Sequence, residues 1–525
     1  MLLLLFIICS FRYYILRNLY ICTDIRIKIC MASKIDITKE IIFSSSDPNV
    51  SRQISALEKE GKLKKIAPRL YTSNMVDSVE NIIRRNIIDI LVWRYPNAII
   101  SHRSAKEMRP TPTGDFFLTT TRNKRISDLP GITINLMKGP EPSEGDIPYN
   151  GLYIAGEYRW MLENMQVSRK SGDESKVLPI ESIESKLEKI LLIGGETKLN
   201  EYRDKLRVSS EQLGMAQEFE KINKIISALL ATHASDVLST PSAKAMSAGL
   251  PFDAGRGELF EILFDALKDE YFVERTDRNR DEESFRLFSF FESYFSNYIE
   301  GTEFEIDEAK QIVDSGIPIP RRDEDSHDIL GTFRVLSNRA EMNRTPESVE
   351  DLYAILQSRH ALLLSGRPNL EPGIFKTRNN RAGNTEFVDY RLVKGTLNYG
   401  FKYYRALKDP FARAVFMMFM ISEVHPFNDG NGRISRIMMN AELVKAGQTR
   451  IIVPTVFRED YILALRKLTR QKNPSAYINV MVKLQKFSDN LYGSDFTELK
   501  EYLRSCNAYE EPSQAKLEII DRVIR

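Results

Sequence analysis

Apolar positions change their period several times along the chain, and the changes mark its organisation. From Ile37 a short helical stretch runs into the polar turn Ser44-Ser45-Ser46-Asp47-Pro48, after which Ile54 and Leu57 sit at helical spacing within Val50 to Glu60. Gly61 ends that helix, and Leu63, Ile66 and Leu70-Tyr71 read as two short strands around Ala67-Pro68. Helix, turn, helix, hairpin is the order of a winged helix, expected over 31–75. Farther on, Phe116–Thr120 and Ile132–Leu136 read as strands, and Glu181–Leu192 and Gln217–Leu230 as helices, so residues 76–255 are expected to be α+β. The run from Thr240-Pro241-Ser242 to Arg256, rich in small residues, Gly and Pro, marks a boundary. From 256 to 485 the pattern turns helical and aromatic, with a helical tail over 486–525.

Within that helical region, Asp409-Pro410 opens a helix with an N-cap and a proline at its first position. The apolar run Val415 to Ile421 predicts a buried helix that delivers His425 at its C-terminal end. Pro426 stops it, and Gly430-Asn431-Gly432 starts a second helix that runs to Gly447. On the second helix Ile434, Ile437, Met438, Ala441 and Val444 form the buried stripe, which puts Arg433 and Arg436 on the opposite, accessible side. Upstream, Phe288, Phe291, Phe295 and Ile299 stripe a helix ending at Gly301, with Ser296 and Glu300 one turn apart on it.

Composition adds bounds rather than a class. The 525 residues are 42% hydrophobic and 28% charged, enough for several cores in a multidomain chain. A net charge of +2 supports no global attraction to nucleic acid or membrane, so charge has to be read by segment. Cys9, Cys22 and Cys30 lie in the first thirty residues, and only Cys506 beyond them, so the body has neither a disulfide framework nor a cysteine metal site. That fits a reducing compartment, and a cytoplasmic location is expected. The apolar run Leu2 to Cys9 is short, lacks a basic segment before it and is soon interrupted by Arg12 and Arg17. Residues 1–30 are therefore expected to be translated upstream sequence with Met31 as the start, against a membrane or export signal; no membrane partner is expected.

The chemistry concentrates in one run, His425-Pro426-Phe427-Asn428-Asp429-Gly430-Asn431-Gly432-Arg433-Ile434-Ser435-Arg436. His425 is its only group able to act as a base near neutral pH. A glycine turn at a helix N-terminus presents N–H groups and the positive end of the dipole to an anion. Two arginines there suit a polyphosphate, and Asp429 is a hard oxygen ligand suited to Mg²⁺ bridging phosphates. The run matches the Fic signature His-x-Phe-x-Asp/Glu-Gly-Asn-Gly-Arg-x-x-Arg at every defined position and resembles that family of protein AMPylases. The resemblance implies that His425 deprotonates a Tyr, Thr or Ser hydroxyl of a target protein, which attacks the α-phosphate of ATP. Asp429 would hold Mg²⁺ on the phosphates, Gly430, Asn431, Gly432 and Arg433 would cradle them, and Arg436 would bind the γ-phosphate. Phe427 would point into the core.

Two further segments resemble the family. Thr385, Glu386, Phe387 and Val388, within Gly373 to Leu397, resemble the β-hairpin flap that docks a target segment as an added strand. Ser296 to Gly301 matches the inhibitory pattern Ser/Thr-x-x-x-Glu-Gly/Asn of relatives with an N-terminal inhibitory helix. Glu300 would pair with Arg436 and block the γ-phosphate, while its use in removing AMP stays open. The segment before these domains resembles the winged-helix head and body of AbiE-type antitoxins. There Arg52, Lys62, Lys64 and Lys65 form a local basic surplus suited to DNA phosphates. The competing reading is a DNA-binding regulator, antitoxin-like, whose Fic domain senses nucleotide; a third is phosphotransfer or phosphocholine transfer, disfavoured by the intact Gly430-Asn431-Gly432. Homodimerisation is left open. The expected fold is thus a winged helix plus α+β region, followed by a mainly α-helical Fic fold with a hairpin flap.

Overall fold

The computed structural model describes residues 35–231, 235–383 and 385–522. The expected leader, 1–30, lies outside them, as do residues 31–34. Two compact units divide the chain, Met1–His233 and Ala234–Arg525. The division falls before the 255 read from composition.

The first unit is α+β. Strand β1 (Ile41–Phe43) precedes helix α1 (Pro48–Lys59), β2 (Lys64–Ala67) and β3 (Leu70–Thr72), and the three strands form one antiparallel sheet in the order β1-β3-β2. Asp47 caps α1 and Pro48 sits in its first turn. The helical stretch expected from Ile37 is instead a turn leading into β1, so the helix–turn–helix lacks its first helix among the described residues. Alternation explains the strand. Ile41 faces the larger core of this unit, and Ile42 faces a separate cluster with Ile54 and Leu63, which a strand satisfies at successive positions.

Helices α2 (Val79–Arg85) and α3 (Ile87–Arg94) lead into a six-stranded mixed sheet. Its strands are β4 (Ile99–Ile100), β5 (Asp115–Thr120), β6 (Lys124–Leu129), β7 (Ile132–Lys138), β8 (Ile147–Tyr149) and β9 (Leu152–Ile154), in the order β6-β7-β5-β4-β9-β8. Short α4 (His102–Glu107) and α5 (Glu157–Glu163) flank it, and α6 (Ile180–Leu213), broken at Gly195, packs on α7 (Ala216–Leu229) to close the unit. The strands and helices read from periodicity are therefore present.

The second unit is helical. Its elements are α8 (Pro241–Ser247), α9 (Ala254–Leu267), α10 (Glu282–Ile299), α11 (Ile306–Ser315), α12 (Asp323–Leu336), α13 (Arg339–Met342), α14 (Val349–Leu363), the hairpin β10 (Arg381–Ala382) and β11 (Thr385–Glu386), α15 (Val393–Ala406), α16 (Pro410–Val424), α17 (Asn431–Lys445), α18 (Arg458–Gln471), α19 (Ser475–Ser488) and α20 (Phe496–Ser505). Asp409 caps α16, and every side chain from Phe416 to Ile421 is fully buried. A helix apolar all round must be surrounded, and α9, α15 and α17 pack on it. After α20 the tail is turns and extended chain, so the expected helical tail is helical only in part. Among the described residues, no helix is long and apolar enough to cross a membrane.

Candidate active site

The site grows from the turn between α16 and α17. His425 caps α16 with φ 51°, a left-handed conformation that a bulky residue adopts only where its surroundings enforce it. Gly430 caps α17 at φ 73°, where glycine carries no steric penalty. Between them Phe427 is fully buried and stacks on His360 of α14, ring centroids 3.7 Å apart and planes 3° from parallel. Asn431 holds the loop from inside. Its Oδ1 accepts from the Phe427 N–H and its Nδ2 donates to the Phe427 carbonyl, each at 2.9 Å. The asparagine expected to cradle phosphate thus spends its amide on the loop backbone.

His360 is a scaffold residue that no sequence spacing flagged. The Gly373 N–H donates to its Nδ1 at 2.8 Å, so Nε2 carries the hydrogen and donates to the Asp429 carbonyl at 3.0 Å. Burial pushes its pKa down to about 4, leaving it neutral.

His425 has one ring nitrogen bonded and the other free. Its Nδ1 lies 3.2 Å from the Ser422 carbonyl, which only accepts, so Nδ1 bears the hydrogen and the Nε2 lone pair is free. Burial, the largest influence, pushes its pKa down to about 4; Lys376 acts in the same direction, and Glu300 and Asp429 oppose. Phe387, just after β11, lies flat on the imidazole with centroids 3.5 Å apart. The hairpin is therefore anchored at His425. The Glu386 carbonyl accepts from Arg256 at 2.7 Å, and the Thr385 hydroxyl accepts from Arg470 at 3.3 Å. Val388, counted with the docking edge, is fully buried and belongs to the core.

Both arginines correct the expectation of an accessible face: Arg433 and Arg436 are 3% and 5% exposed. Helices α10 and α12 cover that side of α17, each supplying a carboxylate or hydroxyl. Arg436 donates from Nη2 to Glu300 Oε1 at 2.6 Å and to the Ser296 carbonyl at 2.8 Å, and from Nε to the Ser296 hydroxyl at 2.9 Å. Arg433 donates from Nη1 to Asp328 Oδ2 at 2.7 Å and to Asn297 Oδ1 at 3.4 Å. The Glu300 carboxylate also lies on the first turn of α17. A Cβ placed on Gly432 would overlap its Oε1 and stand 2.9 Å from its Cδ. An anion thus already occupies the place where N–H groups and dipole favour one.

Asp429 is the remaining polar member. Its Oδ1 accepts from the Gly430 N–H at 2.7 Å, while its side chain is 50% exposed. Among the described residues no group of three or more His, Cys, Asp or Glu side chains could hold a metal ion. One exposed carboxylate fits Mg²⁺ that arrives with phosphates and keeps most of its waters.

The Fic/DOC family model matches residues 350–443, the stretch holding this turn, α14 and the hairpin. Over those residues the chain is similar to the Fic/DOC family. Protein adenylyltransferase fic-1 of Caenorhabditis elegans is 25% identical over 190 residues, 33% of this chain and 35% of that protein. Protein adenylyltransferase Fic of Nematostella vectensis is 26% identical over 177 residues, 32% of this chain and 40% of that protein. The matched stretch thus spans well under half of either relative. A solved structure of Fic-1 residues 134–508 from C. elegans superposes at TM-score 0.34 and 17% identity, over 63% of this chain and 94% of that one, a likeness too loose to argue from. The matched residues carry His425, Phe427 and both arginines, whereas Glu300, the C-cap of α10, and Asp328, on α12, lie outside them.

Proposed function

We propose that the Fic domain transfers AMP from ATP onto a Tyr, Thr or Ser hydroxyl of a target protein, and that Glu300 holds it inactive. The observation that carries this is the Glu300 carboxylate at Arg436 and Gly432, standing in for an anion beside a neutral histidine with a free Nε2. Curated relatives named protein adenylyltransferase support the reaction class.

With Glu300 withdrawn, Arg436 and the first turn of α17 can bind the triphosphate. His425 Nε2 takes the proton of the target hydroxyl as its oxygen attacks the α-phosphorus. The bond from that phosphorus to the bridging oxygen breaks, and pyrophosphate leaves. Mg²⁺ held at Asp429 would neutralise phosphate charge. The transfer is mostly positioning and charge stabilisation, so the buried, pre-oriented groups are what the protein contributes. The hairpin at Thr385 to Phe387 would present the target segment. Labelled ATP supplied to wild type, Glu300→Gly and Glu300→Gly/His425→Ala tests the reading. Incorporation should rise in the first variant and vanish in the second; equal labelling in all three overturns it.

A second role rests on a different observation. Arg52 on α1 and Lys62, Lys64 and Lys65 before and on β2 are all exposed, as backbone contacts to DNA require. A gel shift that is unchanged when Arg52 and Lys64 are both replaced by Ala refutes this role.

A further inference from the structure

Beside the base lies a buried lysine that the transfer chemistry leaves unused. Lys376 is 3% exposed, on the segment that leads into β10. Its backbone N–H donates to the Pro426 carbonyl at 2.8 Å. Its Nζ donates to Asn380 Oδ1 at 2.7 Å and reaches the Val424 carbonyl at 3.4 Å. Asn380 continues the set, donating from Nδ2 to the Phe427 carbonyl at 2.9 Å, while its own carbonyl accepts from the Phe387 N–H at 3.4 Å. The carbonyls before and after His425 are thus held by two residues one hairpin root apart, and that root also carries the ring stacked on the imidazole.

We propose that Lys376 and Asn380 are positioning residues for His425, fixing the backbone on both sides of the base and linking its placement to the hairpin. The inference deepens the function proposed above and rests on His425 being the base. His425 ends α16 in a left-handed backbone conformation, and these bonds hold it there. A neutral donor could hold the same carbonyls, so the positive charge itself calls for a reason. A buried ammonium is expensive to keep: burial lowers the Lys376 pKa to about 8, with Asp389 opposing and Arg256 adding to the effect. Three charged groups face the imidazole, Lys376 against its protonation and Glu300 and Asp429 for it. Lys376 offsets the two carboxylates and keeps Nε2 able to accept a proton.

The test uses the full chain carrying Glu300→Gly, compared with further Lys376→Met, Lys376→Arg and Asn380→Leu substitutions. NMR follows the His425 side-chain titration, and labelled ATP gives kcat and KM. In Lys376→Met the His425 midpoint should rise toward the free value of about 6.5, and kcat should fall about ten-fold or more while the ATP KM changes less than about two-fold. Lys376→Arg should restore the midpoint and part of the rate. Asn380→Leu should lower kcat without moving the midpoint. An unmoved midpoint in Lys376→Met, or equal losses in the Met and Arg variants, overturns the proposal and leaves packing only. If the Glu300→Gly parent transfers no AMP while Lys376→Met still shifts the midpoint, the transferase reading fails and the positioning relation stands.

Discussion

Arg433 Nη1 lies 2.7 Å from Asp328 Oδ2, the same oxygen that Arg367 Nη2 reaches at 2.8 Å. One buried carboxylate therefore ties α17, α12 and the loop after α14 together. Burial pushes the Asp328 carboxyl up, and Arg433 and Arg367 oppose it. Asp328→Asn keeps the shape and removes the charge, leaving Arg433 without its anion in a buried site. Stability should fall by about 3 kcal/mol, read as a lower urea midpoint at constant slope. An unshifted midpoint would show that the ion pair holds nothing together.

Gly432 has no room for a side chain while Glu300 occupies the turn. Gly432→Ala meets only the tip of the Glu300 side chain, which can swing away at the expense of its bond to Arg436, so the protein should lose no more than about 1 kcal/mol. Adding Glu300→Gly removes the obstacle, so the double variant should recover most of that loss. A double-mutant cycle measures the coupling; additive effects would mean that Glu300 does not sit on Gly432.

Phe387 covers one face of the His425 ring. Phe387→Ala, made in the Glu300→Gly chain, removes an aromatic contact of about 0.5–1.5 kcal/mol. If the ring orients His425, kcat should drop about 2- to 12-fold with the ATP KM unchanged. A rise in ATP KM at constant kcat would place the ring in nucleotide binding instead.

Three buried imidazoles, His102, His360 and His425, have pKa values lowered by burial and make stability depend on mild acid. His425 and His360 both have pKa values pushed down to about 4, against about 6.5 when unfolded. Between those values the unfolded state binds protons that the folded state refuses, so stability falls as pH drops from about 6.5 to about 4 and then levels off for these groups. Each of these two rings accounts for about 2 kcal/mol lost by pH 5. His360→Gln should remove about 2 kcal/mol of the loss between pH 7 and pH 5 in denaturant titrations. An undiminished loss would show that His360 is not buried neutral.

Much of the site was legible because its parts are local. Asp409 and Pro410 start α16, an apolar run buries it, and glycines at 430 and 432 turn the chain into α17; each signal acts within a few residues. The pairing of Glu300 with Arg436 was expected from the family pattern, and the structure shows the contact. The N-terminal strand β1 was misread because Ile41 and Ile42 are apolar in succession, which a helix and a strand buried on two faces share.

The amphipathic stripe on α17 went wrong for a different reason. Periodicity identifies the face that must be buried but not the partners that cover the other one. Helices α10 and α12 cover it with charged groups, so Arg433 and Arg436 are buried as ion pairs rather than exposed. His360, Asp328 and Lys376 carry no local pattern and reach the site only through packing.

The sequence by itself determined the order of elements, the turn that carries His425 and the residues able to do chemistry there, because those depend on neighbours within a turn or two of chain. Tertiary structure alone decided the charge state and freedom of each group. Burial, with Lys376 acting the same way, lowers the His425 pKa, and a carboxylate at the end of α10 pairs with Arg436, because desolvation and Coulomb interaction depend on distance in space.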